Sequence, residues 1–286
     1  MIGITPSPSF LKMKEALSQF HPEASTAVHL EPSGDSAVAQ FPDHRNTVGF
    51  LPLITCPGAT YGPGGCTVDC YGRNGRALGR GCVSRLARNT HVLFRLCTRG
   101  AVRKLTDEFL RLMDDAHARY ERRIVRASRR EFRQLRRGSL WRWNWNGDLV
   151  HAVQAEALVR ATRARPHLQT WIYTRSFEFL DFLDPPPENL VVWLSSDRVN
   201  RDRVAEVNQA YPWAKVADLA TEEKESGVIC PKLRYRNGVP VLANEGACSR
   251  CRICTQDLTR VTTVIFPVKR YLSRRPPPQD LLTILT

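Results

Sequence analysis

The chain has 286 residues, of which 42% are hydrophobic and 24% are charged, ordinary values for a globular protein of one or two domains. Its first residues lack the apolar core of a secretory signal peptide, and its apolar runs are too short to cross a bilayer. These features argue against the secreted and membrane classes and predict a protein of the cytoplasm.

The net charge of +14 is concentrated in two regions of the chain. Residues 119–142 hold ten Arg against two Glu, and residues 246–275 hold seven basic residues against one Asp. The two regions together account for the whole net charge. Basic charge confined in this way indicates a polyanionic partner rather than general solubility.

The nine cysteines form an odd set in a chain without a signal peptide, which favours metal binding over disulfides. Seven of them fall into two groups. The first cysteine group is Cys56, Cys66 and Cys70, and the second cysteine group is Cys230, Cys248, Cys251 and Cys254. Grouped thiolates are what a metal ion or an iron–sulfur cluster requires.

Three regions are predicted along the chain. Residues 1–46, rich in Pro, Ser and His, are predicted to be a loosely ordered arm with one short helix at residues 11–20. Residues 47–225 are predicted to form an α/β core, and residues 226–286 a C-terminal segment with the second cysteine group, a last strand and a tail.

Strands and helices alternate in the core, which predicts a parallel sheet with crossover helices. Both an open doubly wound sheet and a partial barrel fit this pattern. Polar residues follow four of the strands directly and should meet at the carboxyl edge of the sheet. They are Cys56 and the segments 146–148, 174–176 and 195–197. The predicted strands are residues 47–55, 140–145, 168–173, 190–194, 214–219 and 262–268, and the predicted helices are residues 101–137, 150–165, 177–182 and 201–211.

One predicted helix, residues 101–137, carries an arginine stripe. Its arginines step by three or four residues, so they share one helical face over about 27 Å. That charge density suits a nucleic-acid backbone, with an acidic protein partner or a solvated face as alternatives. The stripe consists of Arg119, Arg122, Arg126, Arg129, Arg133 and Arg136, and it is widened by Arg123, Arg130 and Arg137.

The second cysteine group is the strongest chemical signal in the sequence. The spacing Cys248-x2-Cys251-x2-Cys254 suits a [4Fe–4S] cluster, with a tetrahedral zinc site as the alternative. The first cysteine group has the spacing C-x9-C-x3-C and leaves one coordination position open, as in catalytic sites, unless Cys82 closes it. No catalytic triad order and no phosphate-binding glycine loop is present.

Five short motifs carry a resemblance to a known family. They are CPGAT at 56–60, GC-x3-CY at 65–71, WNWNGDL at 143–149, WIYTRS at 171–176 and the terminal CxxCxxC. Together they resemble the phage "gene product 88" family. More distantly, the chain is similar to radical S-adenosylmethionine (radical SAM) enzymes.

The radical SAM resemblance implies a partial (βα)6 barrel whose first strand runs into a loop of three cysteines. That loop would hold a [4Fe–4S] cluster with one iron open for S-adenosylmethionine. Cys66, Cys70 and Tyr71 match the loop, whereas Arg73 stands at its third cysteine, so Cys56 would be the third ligand. Gly147 and Asp148 match the stretch that binds the methionyl amine, which makes Asp148 the candidate catalytic residue. A plain helix cap is the alternative role for Asp148.

The sequence thus predicts an iron–sulfur protein with a radical SAM-like barrel that acts on or near nucleic acid in a phage or mobile element. The first cysteine group would hold the open cluster, and the second would hold an auxiliary one. Two alternatives are a non-enzymatic zinc protein that binds nucleic acid and a zinc-containing barrel that modifies a nucleobase. A protein partner is compatible with all three, and the sequence does not indicate an oligomeric state.

Overall fold

A computed structural model of the protein describes residues 8–34, 36–68, 70, 79–220, 227–231, 235–236, 239–240, 246–255 and 261–267. The described helices are α1 (Pro8–Phe20), α2 (Arg80–Thr98), α3 (Val102–Val125), α4 (Arg129–Leu135), α5 (Ala152–Arg163), α6 (Arg201–Ala210) and α7 (Ala247–Cys251), with 3-10 helices at Pro22–Thr26 and Phe177–Leu183. The strands are β1 (Leu140–Arg142), β2 (Gln169–Thr174), β3 (Leu190–Ser196), β4 (Lys215–Ala220), β5 (Val228–Ile229), β6 (Tyr235–Arg236), β7 (Val239–Pro240) and β8 (Thr263–Pro267).

Six of these strands form one parallel sheet in the order β1-β2-β3-β4-β8-β5. The predicted α/β class and the partial, six-stranded barrel are confirmed, because the sheet is a parallel half-barrel with helices in the crossovers. Strands β6 and β7 form a separate antiparallel pair. No helix in the described part of the chain combines the length and apolar character needed to cross a membrane.

The two faces of the sheet are covered differently. Alternate side chains of a strand point to opposite faces. Ile172 and Val192 lie in the larger apolar core, to which helices α2, α3 and α5 contribute, whereas Trp171 and Trp193 lie in a smaller core on the other face. The smaller core includes Val38 and is packed against by Cys230, Cys248 and Cys254 of the second cysteine group. The segment preceding residue 47 also supplies Leu17 and Leu30 to the larger core.

The predicted strand at residues 47–55 is wrong over most of its length. The segment runs beside β1, with a bridge from Thr47 to Arg142 and a hydrogen bond from Trp145 N to Val48 O of 3.0 Å. It then turns, because Pro52 has no amide hydrogen and Leu53 adopts a φ of 68°. The sixth strand of the sheet is β5 instead.

The single long helix predicted for residues 101–137 is also wrong. Helix α3 ends at Val125, and α4 begins after a turn at residues 126–128. The Ser128 side chain caps α4 by accepting a hydrogen bond from Glu131 N at 3.3 Å. Because Ser-x-x-Glu is a helix-start signature, the sequence Ser128-Arg-Arg-Glu131 already contains the signal for this break.

Helix α2 was not predicted from the sequence. It buries Leu86, Val92, Leu93 and Leu96, whose spacing follows one face of a helix. The other predicted strands and helices agree with the observed elements within a few residues, apart from the strand predicted at 140–145, which is the three-residue β1. The tryptophans of that segment, Trp141, Trp143 and Trp145, are buried in the larger core.

Candidate functional site

The loop from Cys56 to Cys70 lies against the carboxyl ends of β2 and β3. Gly58 is packed so closely on β2 that an added Cβ would stand 2.1 Å from the Arg175 carbonyl oxygen. Gly64, with a φ of 84°, approaches Arg198, which follows β3. The glycines of this loop therefore allow it to close down onto the sheet edge.

A polar network joins this loop to three strand ends. Arg175 Nη1 donates to Asp197 Oδ2 at 2.7 Å, and the Thr60 hydroxyl donates to the same carboxylate. Arg175 N donates to Asp148 Oδ2 at 2.7 Å. In the loop, Cys66 N donates to Thr60 Oγ1 at 2.8 Å. The predicted meeting of these segments at the carboxyl edge is thus present in the structure.

Asp148, like Asp197, is a buried acidic group at this edge, with 5% of its surface exposed. Burial raises the pKa of Asp148 to about 6. Hydrogen bonds from the backbone amides of Arg175 and Leu149 lower this pKa, but their effect is smaller than that of burial. Its alternative role as a helix cap is not observed, because the cap of α5 is His151, whose Nδ1 accepts from Val153 N at 3.1 Å.

Gly147 holds Asp148 under the cysteine loop. Its φ is 75°, and an added Cβ would lie 2.2 Å from Thr55 Oγ1. The Asp148 amide donates to the Thr55 carbonyl at 2.7 Å, one residue before Cys56. A glycine is required here both for the positive φ and for the close approach of Thr55.

The first cysteine group lies in one neighbourhood with Asp148. Burial raises the pKa of the Cys56 thiol well above its ordinary value, and the charges of Asp148, Cys70 and Cys66 raise it further. Thr60 N donates to Cys66 Sγ at 3.4 Å. Cys82 lies near the start of α2 and packs against the larger core. Tyr71 and Arg73 lie outside the described residues.

The second cysteine group sits on the sheet face opposite the long helices. Cys230 follows β5 and donates its amide to Ile265 O at 2.8 Å, while Cys248 N donates to Ala37 O at 2.8 Å. Burial raises the pKa of Cys254, and the charges of Cys248, Cys230 and Cys251 act in the same direction. The other three cysteines of the group therefore lie in the neighbourhood of Cys254.

Two aromatic side chains hold Cys254 against the sheet. The Tyr173 hydroxyl is hydrogen-bonded to the Cys254 sulfur, which lowers the pKa of that thiol. Trp193 Nε1 donates to the Cys254 carbonyl at 3.0 Å. These contacts fix the last cysteine of the CxxCxxC motif relative to β2 and β3.

A buried arginine ties the second cysteine group to the end of α4. Arg252, 1% exposed, stands between Cys251 and Cys254. Its guanidinium donates to Arg137 O at 3.0 Å, Gly138 O at 2.7 Å and Gln169 Oε1 at 2.7 Å. Residue identity alone did not distinguish Arg252 from the exposed arginines around it.

The arginine stripe is exposed but does not lie on one helix. Arg119 and Arg122 belong to α3, Arg129 and Arg133 to α4, and Arg126 and Arg136 are the residues that end the two helices. A continuous 27 Å edge of charge is therefore absent. Within the described residues, these six arginines have no acidic partner.

No three His, Cys, Asp or Glu side chains in the described ranges are close enough to hold one metal ion as they stand. A tetrahedral zinc site needs sulfurs about 3.8 Å apart. The thiols of each cysteine group interact through their charges but are not gathered into such a set. A compact zinc site would require the loops to rearrange.

Residues 16–257 match the family model described as Gene product 88. The chain belongs to the Gene product 88 family. The match to Gene product 88 includes both cysteine groups and strands β1 to β4, and ends before β8. No curated protein and no solved structure matches the chain.

Proposed function

We propose that the protein binds a [4Fe–4S] cluster through Cys56, Cys66 and Cys70, as radical SAM enzymes do through their cysteine loop. We propose further that the protein acts on or near nucleic acid. The observation that carries this proposal is that Cys66, Cys70 and Asp148 all lie near enough to the buried Cys56 thiol at the carboxyl edge to act on it electrostatically. Parallel α/β folds place their ligands at this edge.

The chemistry of the donor set is compatible with a cluster. The Cys56 thiol, whose pKa is raised, is protonated and unreactive in the absence of a cation, whereas iron binds the deprotonated form of a thiol and releases the proton. In a cluster each cysteine binds a different iron atom, so the sulfurs need not converge on one point. This suits thiols that share one neighbourhood without forming a compact set.

The resemblance assigns S-adenosylmethionine to the same edge. A cluster with an open iron, when bound, supplies the electron that cleaves the sulfonium of that cofactor. Asp148 would hold the methionyl amine, since a carboxylate accepts hydrogen bonds from an ammonium group. Gly147 keeps this carboxylate beneath the loop through its contact with Thr55.

The second cysteine group supports a second candidate function. Three of its cysteines, Cys230, Cys248 and Cys254, pack against the smaller core that contains Trp193, on one face of the sheet. In the main proposal this group holds an auxiliary cluster. If zinc occupies it and the first group is empty, the protein is a non-enzymatic zinc protein that binds nucleic acid.

The nucleic-acid part of the proposal is supported by the exposed arginines of α3 and α4. Exposed guanidiniums without acidic partners bind phosphate oxygens well, because they are not neutralised internally. They also predict binding that weakens steeply as salt is added.

Metal analysis of anaerobically purified protein tests the proposal. We expect iron, sulfide and a broad absorption at about 400 nm. The triple variant Cys56→Ser, Cys66→Ser, Cys70→Ser should bind about four fewer irons. Cys82→Ser is the matched control, because Cys82 is a partly buried thiol outside both groups, and it should bind as much iron as the wild type.

Equal iron in the triple variant and the wild type would overturn the open-cluster proposal. A colourless protein with one zinc, lost on Cys251→Ser, would establish the zinc alternative instead. Reduced protein with a cluster that does not cleave S-adenosylmethionine would remove the radical SAM part while leaving the cluster in place.

A further inference from the structure

We propose that α3 and α4 form a binding surface for single-stranded nucleic acid, in which Phe132 stacks on a base while the neighbouring arginines contact phosphates. We call this surface the helical hairpin, residues 119–136. The inference rests on the nucleic-acid part of the proposed function and names the class of nucleic acid.

The shape of the hairpin disfavours a duplex. A protein that reads a duplex commonly lays a helix into the major groove. Here α3 stops at Val125, and α4 has seven residues, which span about 10 Å. A short, bent surface of this size fits a few nucleotides of a flexible single strand better than it fits the straight major groove of a duplex.

An aromatic ring stands exposed among the arginines. Phe132 is 47% exposed and Val125 is 84% exposed. Arg129 and Arg136 lie three residues before and four residues after Phe132, so they share its face of α4. Single-strand-binding proteins combine aromatic rings, on which bases stack, with basic side chains that follow the backbone.

One arginine of the hairpin forms an ion pair that joins the two helices, whereas the arginines of the stripe are exposed to solvent. Arg123 Nε donates to Glu131 Oε1 at 2.6 Å, which joins α3 to α4 and leaves Glu131 neutralised. The six arginines of the stripe have no such partner in the described ranges and are exposed. The hairpin is therefore fixed by this ion pair and by the hydrogen bond from the Tyr120 hydroxyl to Leu135 O, and its remaining positive charge is complementary to a polyanion.

Binding of labelled oligonucleotides to the full chain tests this inference. The probes are single-stranded DNA and RNA of about 20 nucleotides and the matching DNA duplex, followed by fluorescence anisotropy at several salt concentrations. We expect the single strands to bind more tightly than the duplex. Phe132→Leu should weaken single-strand binding by about tenfold with the salt dependence unchanged, because it removes stacking but no charge.

Three further variants separate the ring from the charge and from folding. Phe132→Tyr should keep wild-type affinity, since tyrosine also stacks. Phe182→Leu is the matched control, because Phe182 is 41% exposed but lies in the 3-10 helix at Phe177–Leu183, and it should change nothing. Arg129→Gln should reduce the slope of log affinity against log salt concentration by the amount expected for about one lost phosphate contact.

The outcomes are distinguishable from those of the metal experiment. Equal affinity of Phe132→Leu and wild type, or tighter binding of the duplex, would overturn the single-strand inference. A protein that binds neither nucleic acid at about 50 mM salt would overturn it together with the nucleic-acid part of the proposed function. Iron content would be unaffected in either case, so the cluster proposal is judged separately.

Discussion

Arg175 and Asp197 are joined by an ion pair of 2.7 Å that links the carboxyl end of β2 to that of β3. The Asp197 side chain is fully buried, and its second oxygen accepts from Val199 N at 2.8 Å and Asn200 N at 3.1 Å. The pair therefore fixes both strand ends and, through Thr60, the first cysteine loop.

Removal of the Asp197 carboxylate should destabilise the whole fold. We expect Asp197→Ala to lower the free energy of unfolding by about 3–5 kcal/mol, because Arg175 would remain buried without its partner. Arg203→Gln, which breaks the exposed pair with Glu206, should cost less than about 1 kcal/mol. Urea denaturation of both variants measures the free energies of unfolding. Equal losses in the two variants would contradict the prediction, because the buried pair would then contribute no more to stability than the exposed pair.

The cap of α4 gives a local prediction. Ser128→Ala should destabilise the first turn of α4 by about 1 kcal/mol, because the Glu131 amide loses its acceptor. Hydrogen exchange in residues 129–135 should become faster while exchange in the sheet stays the same. Unchanged exchange in α4 would mean that the Ser128 cap adds nothing to the Arg123–Glu131 pair and the Tyr120–Leu135 hydrogen bond.

His44 should make stability depend on pH. Burial lowers the pKa of His44 to about 4 from an ordinary 6.5, with a further lowering by the charge of Arg119. The unfolded chain then binds a proton at a higher pH than the folded one, so stability is lost as the pH falls from about 6.5 to 4.

His44→Gln removes this titration. The wild type should lose about 3 kcal/mol more than the variant between pH 7 and pH 4, as measured by denaturation at each pH. Parallel stability curves for the two proteins would contradict the prediction.

Arg252 should couple the second cysteine group to the end of α4. Arg252→Lys should cost about 2 kcal/mol or more, since one ammonium group cannot satisfy the carbonyls of both Arg137 and Gly138 and the Gln169 side chain. Hydrogen exchange should rise together in residues 137–139 and 246–255. A rise confined to 246–255 would show that the two regions are independent, and Arg130→Lys, at an exposed arginine, is the control.

The alternation of apolar runs was enough to predict the parallel sheet and the meeting of Asp148, Arg175 and Asp197 at one edge. Helix and strand periodicity is local, and the rule that parallel strands end at a common edge does the rest. The sequence failed where a single residue overrides the pattern. The apolar run at residues 47–55 turns at Pro52 and Leu53 instead of continuing as a strand. Ser128 begins a new helix, although the three- and four-residue spacing of the arginines continues past it.

The cysteine groups show a different limit. The spacing of Cys248, Cys251 and Cys254 indicated that they act together, but not that Cys248 and Cys254 would pack beside Tyr173 and Trp193. Contacts between residues so distant in the chain depend on the sheet order, which spacing does not encode. The anchoring role of Arg252 was hidden for the same reason, because its partners at residues 137, 138 and 169 become neighbours only in the folded sheet.

The position of β8 between β4 and β5 has a consequence for synthesis of the protein. β4 and β5 are synthesised before β8. They do not pair with each other, and each pairs with β8, so neither has this partner until residues 263–267 have been synthesised. During that interval a nascent chain presents an open strand edge, which is prone to pair with other chains. All four cysteines of the second group emerge within the same interval, so they are synthesised while this strand edge is still open.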